Sequence, residues 1–357
     1  ATLTPTTAPI ERLQVVWVES GSLFAWVEDE PTPRRIAEGG VIAPYFAPDG
    51  GLVAFTRGAE GEVVALWTVN VDGTGEAEWV SPEDLPVAQS GETRIDQVTW
   101  LDSSAIYFNT RQEQSAGSVN DDNLYRAEAG GDPQLILPRG AGGVFAISAD
   151  GQQIAAARAG IYDTQPGVIV LLDPLGARVR EVLSFTAVSA ADEPPFYPPL
   201  SWREGAASAR AAIPARDRAR VALWRLPIQG EAQIFGYVDV TPLWSPDSEQ
   251  MLYIMDGDQL VIADENGENA QVYAENAAAP RWSSGGRFVY EGDGGLWLGP
   301  RGQTPRRLLN LPIDHAVFAG DWLVYAAQSE LRALHLNTSE ERRITTLPET
   351  TTFDAAV

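Results

Sequence analysis

Phe46-Ala47-Pro48-Asp49-Gly50, followed by Leu52-Val53-Ala54-Phe55, decides the fold, because the same phrase returns along the chain. It recurs as Trp244-Ser245-Pro246-Asp247-Ser248 before Met251-Leu252-Tyr253-Ile254, and as Trp282-Ser283-Ser284-Gly285-Gly286 before Phe288-Val289-Tyr290. Weaker copies start at Trp100, Ile147, Trp202 and Phe318. A strand ends on a large apolar side chain, Pro-Asp-Gly turns tightly, and a second strand returns. Proline presets φ for the turn and glycine accepts its positive φ. A third strand follows, as in Leu66-Trp67-Thr68-Val69-Asn70-Val71, and then a fourth, such as Arg306-Arg307-Leu308-Leu309. Four short strands repeated along the chain describe a β-propeller, and no long segment has the three-and-four spacing of an amphipathic helix.

The Trp-Ser-Pro-Asp turn and the later Leu-Trp strand resemble the PD40 or TolB-like propeller family, a relative of WD40 repeats. That resemblance implies a fold and is nearly silent on function. The α/β domain that precedes the propeller in TolB is not found in this sequence, so TolB's envelope role is not carried over.

The anchors at 46, 100, 147, 202, 244, 282 and 318 mark seven full units. Val15-Val16-Trp17-Val18, Leu23-Phe24-Ala25-Trp26-Val27 and Arg35-Ile36-Ala37 read as the second, third and fourth strands of another blade. Thr351 to Val357 supplies a first-strand phrase. The expectation is eight blades, the last assembled from both termini; seven is the alternative if the Ala-rich unit at 202–230 is degenerate. Residues 1–11, Thr/Pro-rich, read as an extended tether, and 12–357 as one propeller domain.

Net charge is −24, and all 25 basic residues are arginine. The absence of lysine excludes Schiff-base chemistry and a Walker-type loop. An acidic surface repels nucleic acid. Absence of cysteine removes thiol nucleophiles and cysteine-based zinc sites. No apolar run is long enough to span a bilayer.

Five long loops should share one face, that of the second-to-third turns and inter-blade connections: Ser81–Asp96, Asn109–Asn123, Arg158–Gly167, Ser184–Leu200 and Pro214–Arg220. Long loops on a rigid scaffold are where binding concentrates. On that face the candidates are Phe196 and Tyr197, stiffened by flanking prolines, and Arg210, Arg216, Arg218 and Arg220. Those arginines belong to a segment, Arg203–Arg225, with a formal sum of +4. Arginine grips carboxylates with two parallel donors, so the segment suits an acidic partner; pairing within the chain is the other reading.

His315 and His335 have no partner at metal-ligand spacing and are read as structural. No Gly-x-Ser-x-Gly or sialidase-type box occurs. Asp264, Glu265 and Asn266 form the best of several weak calcium candidates, and no other cofactor is implied. The expectation is a monomeric, extracytoplasmic propeller (secreted, periplasmic or surface-anchored) that binds a protein or peptide and is not an enzyme. A propeller glycoside hydrolase, or a small-ligand sensor using the central channel, is the alternative.

Overall fold

The computed structural model describes residues 12–58, 65–85, 93–114, 117–120, 122–161, 164–189, 193–203, 205, 207–215, 219–299, 304–347 and 351–357. Its strands form eight antiparallel sheets, each a blade of four strands in simple up-and-down order, with an added segment in the second. The first blade has Val41–Phe46 innermost, then Leu52–Arg57, Ala65–Asn70 and Ala77–Val80 outermost. Blades two to seven open with the innermost strands Thr93–Asp102, Val144–Ile147, Leu200–Trp202, Leu243–Trp244, Ala277–Trp282 and His315–Ala319. All seven anchors stand on these strands.

The closing blade takes Phe353–Ala356 as its innermost strand and Gln14–Glu19, Ser22–Val27 and Arg34–Ala37 as the other three. Gln14 pairs with Ala356 and Trp17 with Phe353. The Ala-rich unit is a regular fourth blade, with strands Leu200–Trp202, Ser208–Pro214, Val221–Pro227 and Gln233–Val238. Small alanines suit it because Ala209, Ala211 and Ala212 are fully buried against the neighbouring blades. The tether assigned to 1–11 lies outside the described residues.

Each junction between neighbouring blades holds one buried apolar cluster. Alternation of side chains across a strand sends successive residues into opposite junctions. The tryptophan anchors add a polar stitch. The indole N–H donates to the preceding blade's innermost strand from Trp100 to the Tyr45 carbonyl at 3.0 Å, from Trp202 to that of Ala146 at 2.9 Å, and from Trp282 to that of Leu243 at 2.9 Å.

A carboxylate stitches the closing blade to the first. Asp354 accepts the Phe46 amide at 2.7 Å and the Ala355 amide at 2.8 Å, and burial pushes its carboxyl above the ordinary carboxylate range. With the folded pKa raised, the folded state holds a proton more tightly than the unfolded chain. The group's stabilising contribution is therefore full below the unfolded pKa and is lost as pH rises through the folded value. Thermal melts of the parent and Asp354→Asn from about pH 7 down to about pH 4 should show the parent gaining on the variant as pH falls. A constant difference in melting temperature would contradict this.

Candidate functional site

Second-to-third turns and inter-blade connections emerge on one face of the ring, and the short Pro-Asp-Gly turns on the other. Not every insertion is a loop. Asn109–Asn123 is largely ladder: Ala105–Gln114 continues past the blade and pairs with the added strand Gly117–Asn120. Its polarity misleads because the backbone ladder, not an apolar side-chain pattern, defines this hairpin. In Arg158–Gly167, Ile161 bridges Gln165 and leaves Ile161 58% exposed.

The groove that stands out on this face lies between the third and fourth blades, with a volume of about 310 Å³. Phe185 and Trp224 line it toward the core, with Val188 from the inter-blade connection and Pro214-Ala215 from the fourth blade's hairpin. Ile234 and Tyr237, on the outermost strand Gln233–Val238, complete it and are 41% and 49% exposed. Arg220 is exposed at its lip, where its carbonyl accepts the Ala215 amide at 2.7 Å. Sequence reasoning missed Ile234 and Tyr237. Three other outermost strands carry arginine pairs, at Arg34-Arg35, Arg306-Arg307 and Arg342-Arg343, whereas this one reads Gln233-Ile234-Phe235-Gly236-Tyr237, a contrast that shows only once the strands are aligned by register.

The residues singled out from sequence are not brought together. Phe196 is half-buried and packs into the core cluster between the third and fourth blades. Tyr197, also half-buried, donates its hydroxyl to Asp122 at 2.9 Å. Neither is the exposed anchor expected: the prolines hold the rings inward, where apolar area leaves water. Arg216 and Arg218 lie outside the described residues.

Arg210 belongs to the opposite face and is only 2% exposed. It ion-pairs with Glu265 and donates to the Ser248 carbonyl at 2.6 Å, both on turns of the fifth blade. Arg203 at 3.6 Å and Arg225 at 3.8 Å converge on the same carboxylate. Arg210 and Arg225 also lie over the Phe235 ring. The arginine-rich segment is thus divided by its own strands, which carry residues five to seventeen apart in sequence to opposite ends of a blade. Burial draws the Arg210 guanidinium below its ordinary value, against the pull of Glu265. The same junction holds four buried polar atoms with no hydrogen-bond partner: Ser201 Oγ, Arg210 Nε, Trp244 Nε1 and Ser248 Oγ.

The calcium candidate, Asp264, Glu265 and Asn266, is engaged within the chain. Glu265 is surrounded by guanidinium groups, Asp264 accepts from the Asn269 side chain at 2.6 Å, and the Asn266 side-chain oxygen accepts the Glu268 amide at 3.1 Å. Three cations on one carboxylate repel a fourth. Near the channel, Asp96 and Asp354 stand on innermost strands, and burial raises both carboxyls. Asp96 is paired with Arg111 at 3.1 Å. Tyr45, between the two blades, is pushed up to about 12 by burial and these two acids.

No protein-family model matches the chain, and no curated protein matches it in sequence. Solved structures do. A puromycin-hydrolysing peptidase of Mycobacterium tuberculosis is 15% identical, with a TM-score of 0.52 over 87% of this chain and 54% of that one. The β-propeller domain of the trilobed protease of Pyrococcus furiosus is 13% identical, with a TM-score of 0.51 over 96% of this chain and 94% of its own. AztD of Citrobacter koseri, in its apo form, is 11% identical, with a TM-score of 0.55 over 96% and 98%. TolB of Acinetobacter baumannii is also among the matches. At these identities the likeness shows the fold alone, a β-propeller; the eight blades are read from this chain's own strands.

The expectation that the chain is not an enzyme is corrected by these matches. Peptidases stand first among them, and the chain spans about half the length of those peptidases. The missing serine and sialidase motifs were the ground for that expectation. They exclude chemistry only within the residues that carry the propeller, and in a longer enzyme the reacting groups can stand outside the matched half.

Proposed function

We propose that the chain is a binding propeller that takes an extended protein or peptide segment in the groove between its third and fourth blades. The observation that carries this reading is the pairing of Ile234 and Tyr237, large apolar side chains left exposed around a groove on the insertion-bearing face. An apolar concavity with a few polar groups at its rim is the usual form of a ligand site. Tyrosine and isoleucine beside a rigid strand offer contact area at small entropic loss. Arg220 at the lip favours a segment with an acidic residue beside its apolar ones. The same grip would serve a peptidase that carries such a propeller, by holding the peptide while a second domain acts. The Thr/Pro-rich residues 1–9, which carry no charged side chain, support placing this function outside the cytoplasm; separately, no described helix is long and apolar enough to cross a membrane.

Peptide selection against the immobilised chain tests the reading. Enriched peptides should carry a large apolar residue with a nearby acid, and Ile234→Glu with Tyr237→Glu should weaken them about 10-fold or more. Arg220→Glu should weaken only the acidic ones. Peptides that bind the double variant as tightly as the parent would overturn the groove assignment.

A further inference from the structure

A second cavity opens on the same face, at the opposite side of the ring, between the seventh and closing blades. Its volume is about 230 Å³. Ala326, Ala327 and Leu347 give it an apolar floor, and Asp314, His315 and Ser329, all exposed, line it with polar residues. His315 pairs with Ala326 across the two inner strands, and the Ser329 carbonyl accepts the Leu347 amide at 2.7 Å, so both residues are fixed by backbone. Among the described residues, the Asp314 carboxylate, the His315 ring nitrogens and the Ser329 hydroxyl make no hydrogen bond. Glu330 also lines the cavity but is engaged by Arg332 and Arg343.

The turn that carries Ser329 departs from its counterparts. Three blades close this hairpin with two residues, both at positive φ. The closing blade uses Ser20 (50°) and Gly21 (70°), and the sixth uses Asp293 (46°) and Gly294 (71°). The seventh uses Gln328 (52°) and Ser329 (59°). Such turns favour glycine second, because a Cβ there is strained. A non-glycine residue held in the left-handed region costs about 1–3 kcal/mol, and such strain clusters at functional sites. Here the residue that replaces glycine lines a cavity.

We propose that this cavity binds a primary alkylammonium group. An ammonium has three N–H donors and no acceptor. Asp314 supplies an anionic acceptor, His315 a ring nitrogen and Ser329 a hydroxyl oxygen, while the alanine and leucine floor takes the methylene stem. Desolvation, with the Arg281 charge nearby, draws the imidazole below its ordinary pKa, which favours the neutral ring that can accept. A net charge of −24 concentrates cations around the chain, and the chain has no lysine of its own to fill the site. The site stands apart from the groove between blades three and four, and neither depends on the other.

Calorimetric titration of the full chain with n-butylammonium and with n-butanol, its neutral counterpart, tests the proposal. Butylammonium should saturate, and butanol should bind at least about 10-fold more weakly. Asp314→Asn should lose about 10-fold in butylammonium affinity. Ser329→Gly should raise the melting temperature by relieving the turn and yet weaken butylammonium; a purely structural serine would give the first change without the second. Nα-acetyl-lysine methylamide separates the sources. Binding comparable to butylammonium supports a lysine side chain of a protein, and exclusion of it supports a small free amine. Equal binding of butylammonium and butanol, no saturable binding, or affinity unchanged in both variants would overturn the site.

Discussion

Removing residues 353–357 should destroy the cooperative ring rather than trim it. Phe353 is buried in one cluster with Trp17, Trp322 and Val324, and loss of such an aromatic side chain costs about 3–5 kcal/mol by itself. The deletion also takes away the pairing of Phe353–Ala356 with Gln14–Glu19 and the Asp354 acceptor of the Phe46 amide. A buried amide left without an acceptor costs about 1–3 kcal/mol more. Two blade faces and a strand edge are then open to water and to other chains. Set against a typical folding free energy of about 5–15 kcal/mol, these losses take most of the margin. The melting temperature should fall by at least about 10 °C, with aggregation on size exclusion. A peptide of residues 351–357 added in excess should recover part of the loss. A truncated chain that melts within about 3 °C of the parent would show that the closing strand does not hold the ring.

Glu265→Ala should be nearly as damaging, and Arg210→Leu should not. Removing the carboxylate leaves the Arg210 charge at 2% exposure with Arg203 and Arg225 beside it. Breaking a buried pair in this way costs about 3–5 kcal/mol. Removing the arginine instead leaves Glu265 part-exposed and still within reach of two guanidinium groups. The residue after the anchor's partner is Ala54, Ala155, Leu252 and Val324 in the first, third, fifth and seventh blades, and Arg210 in the fourth. Leucine returns that position to the apolar character of those blades, so Arg210→Leu is expected within about 1 kcal/mol of the parent in urea melts. Equal damage from both substitutions would sink the argument from asymmetry.

The blade count and the shared closing blade were legible because the anchor-turn-strand phrase is local, and each copy carries its own turn chemistry. Trp17 and Phe353 completed the pattern by exclusion, as strands with no other partners. Direction was much less legible. The prolines around Phe196 and Tyr197 announced stiffness, not whether the rings faced water. The arginines from 203 to 225 look like one patch because sequence proximity ignores where antiparallel strands end. Arg210 and Arg220 are ten positions apart and emerge on opposite faces. Glu265, which gathers three of these arginines, sits in the next blade, 55 residues from Arg210. The groove at Ile234 and the strained Ser329 were visible only as departures from the equivalent positions of other blades. Those equivalences need the strand register, which the structure supplies.

The closing blade has a consequence in time. The amide of Phe46 waits for Asp354, 308 residues further on. During synthesis, the three outer strands of that blade emerge first and remain without their innermost neighbour until residue 356 has been made. At roughly 5–20 residues per second, that interval is on the order of 20–70 seconds. Throughout it the nascent chain shows an unsealed apolar face at each end of a growing arc, the condition in which holding chaperones bind. A single late strand therefore acts as a timer, separating the period in which the ring is open from the period in which it is locked.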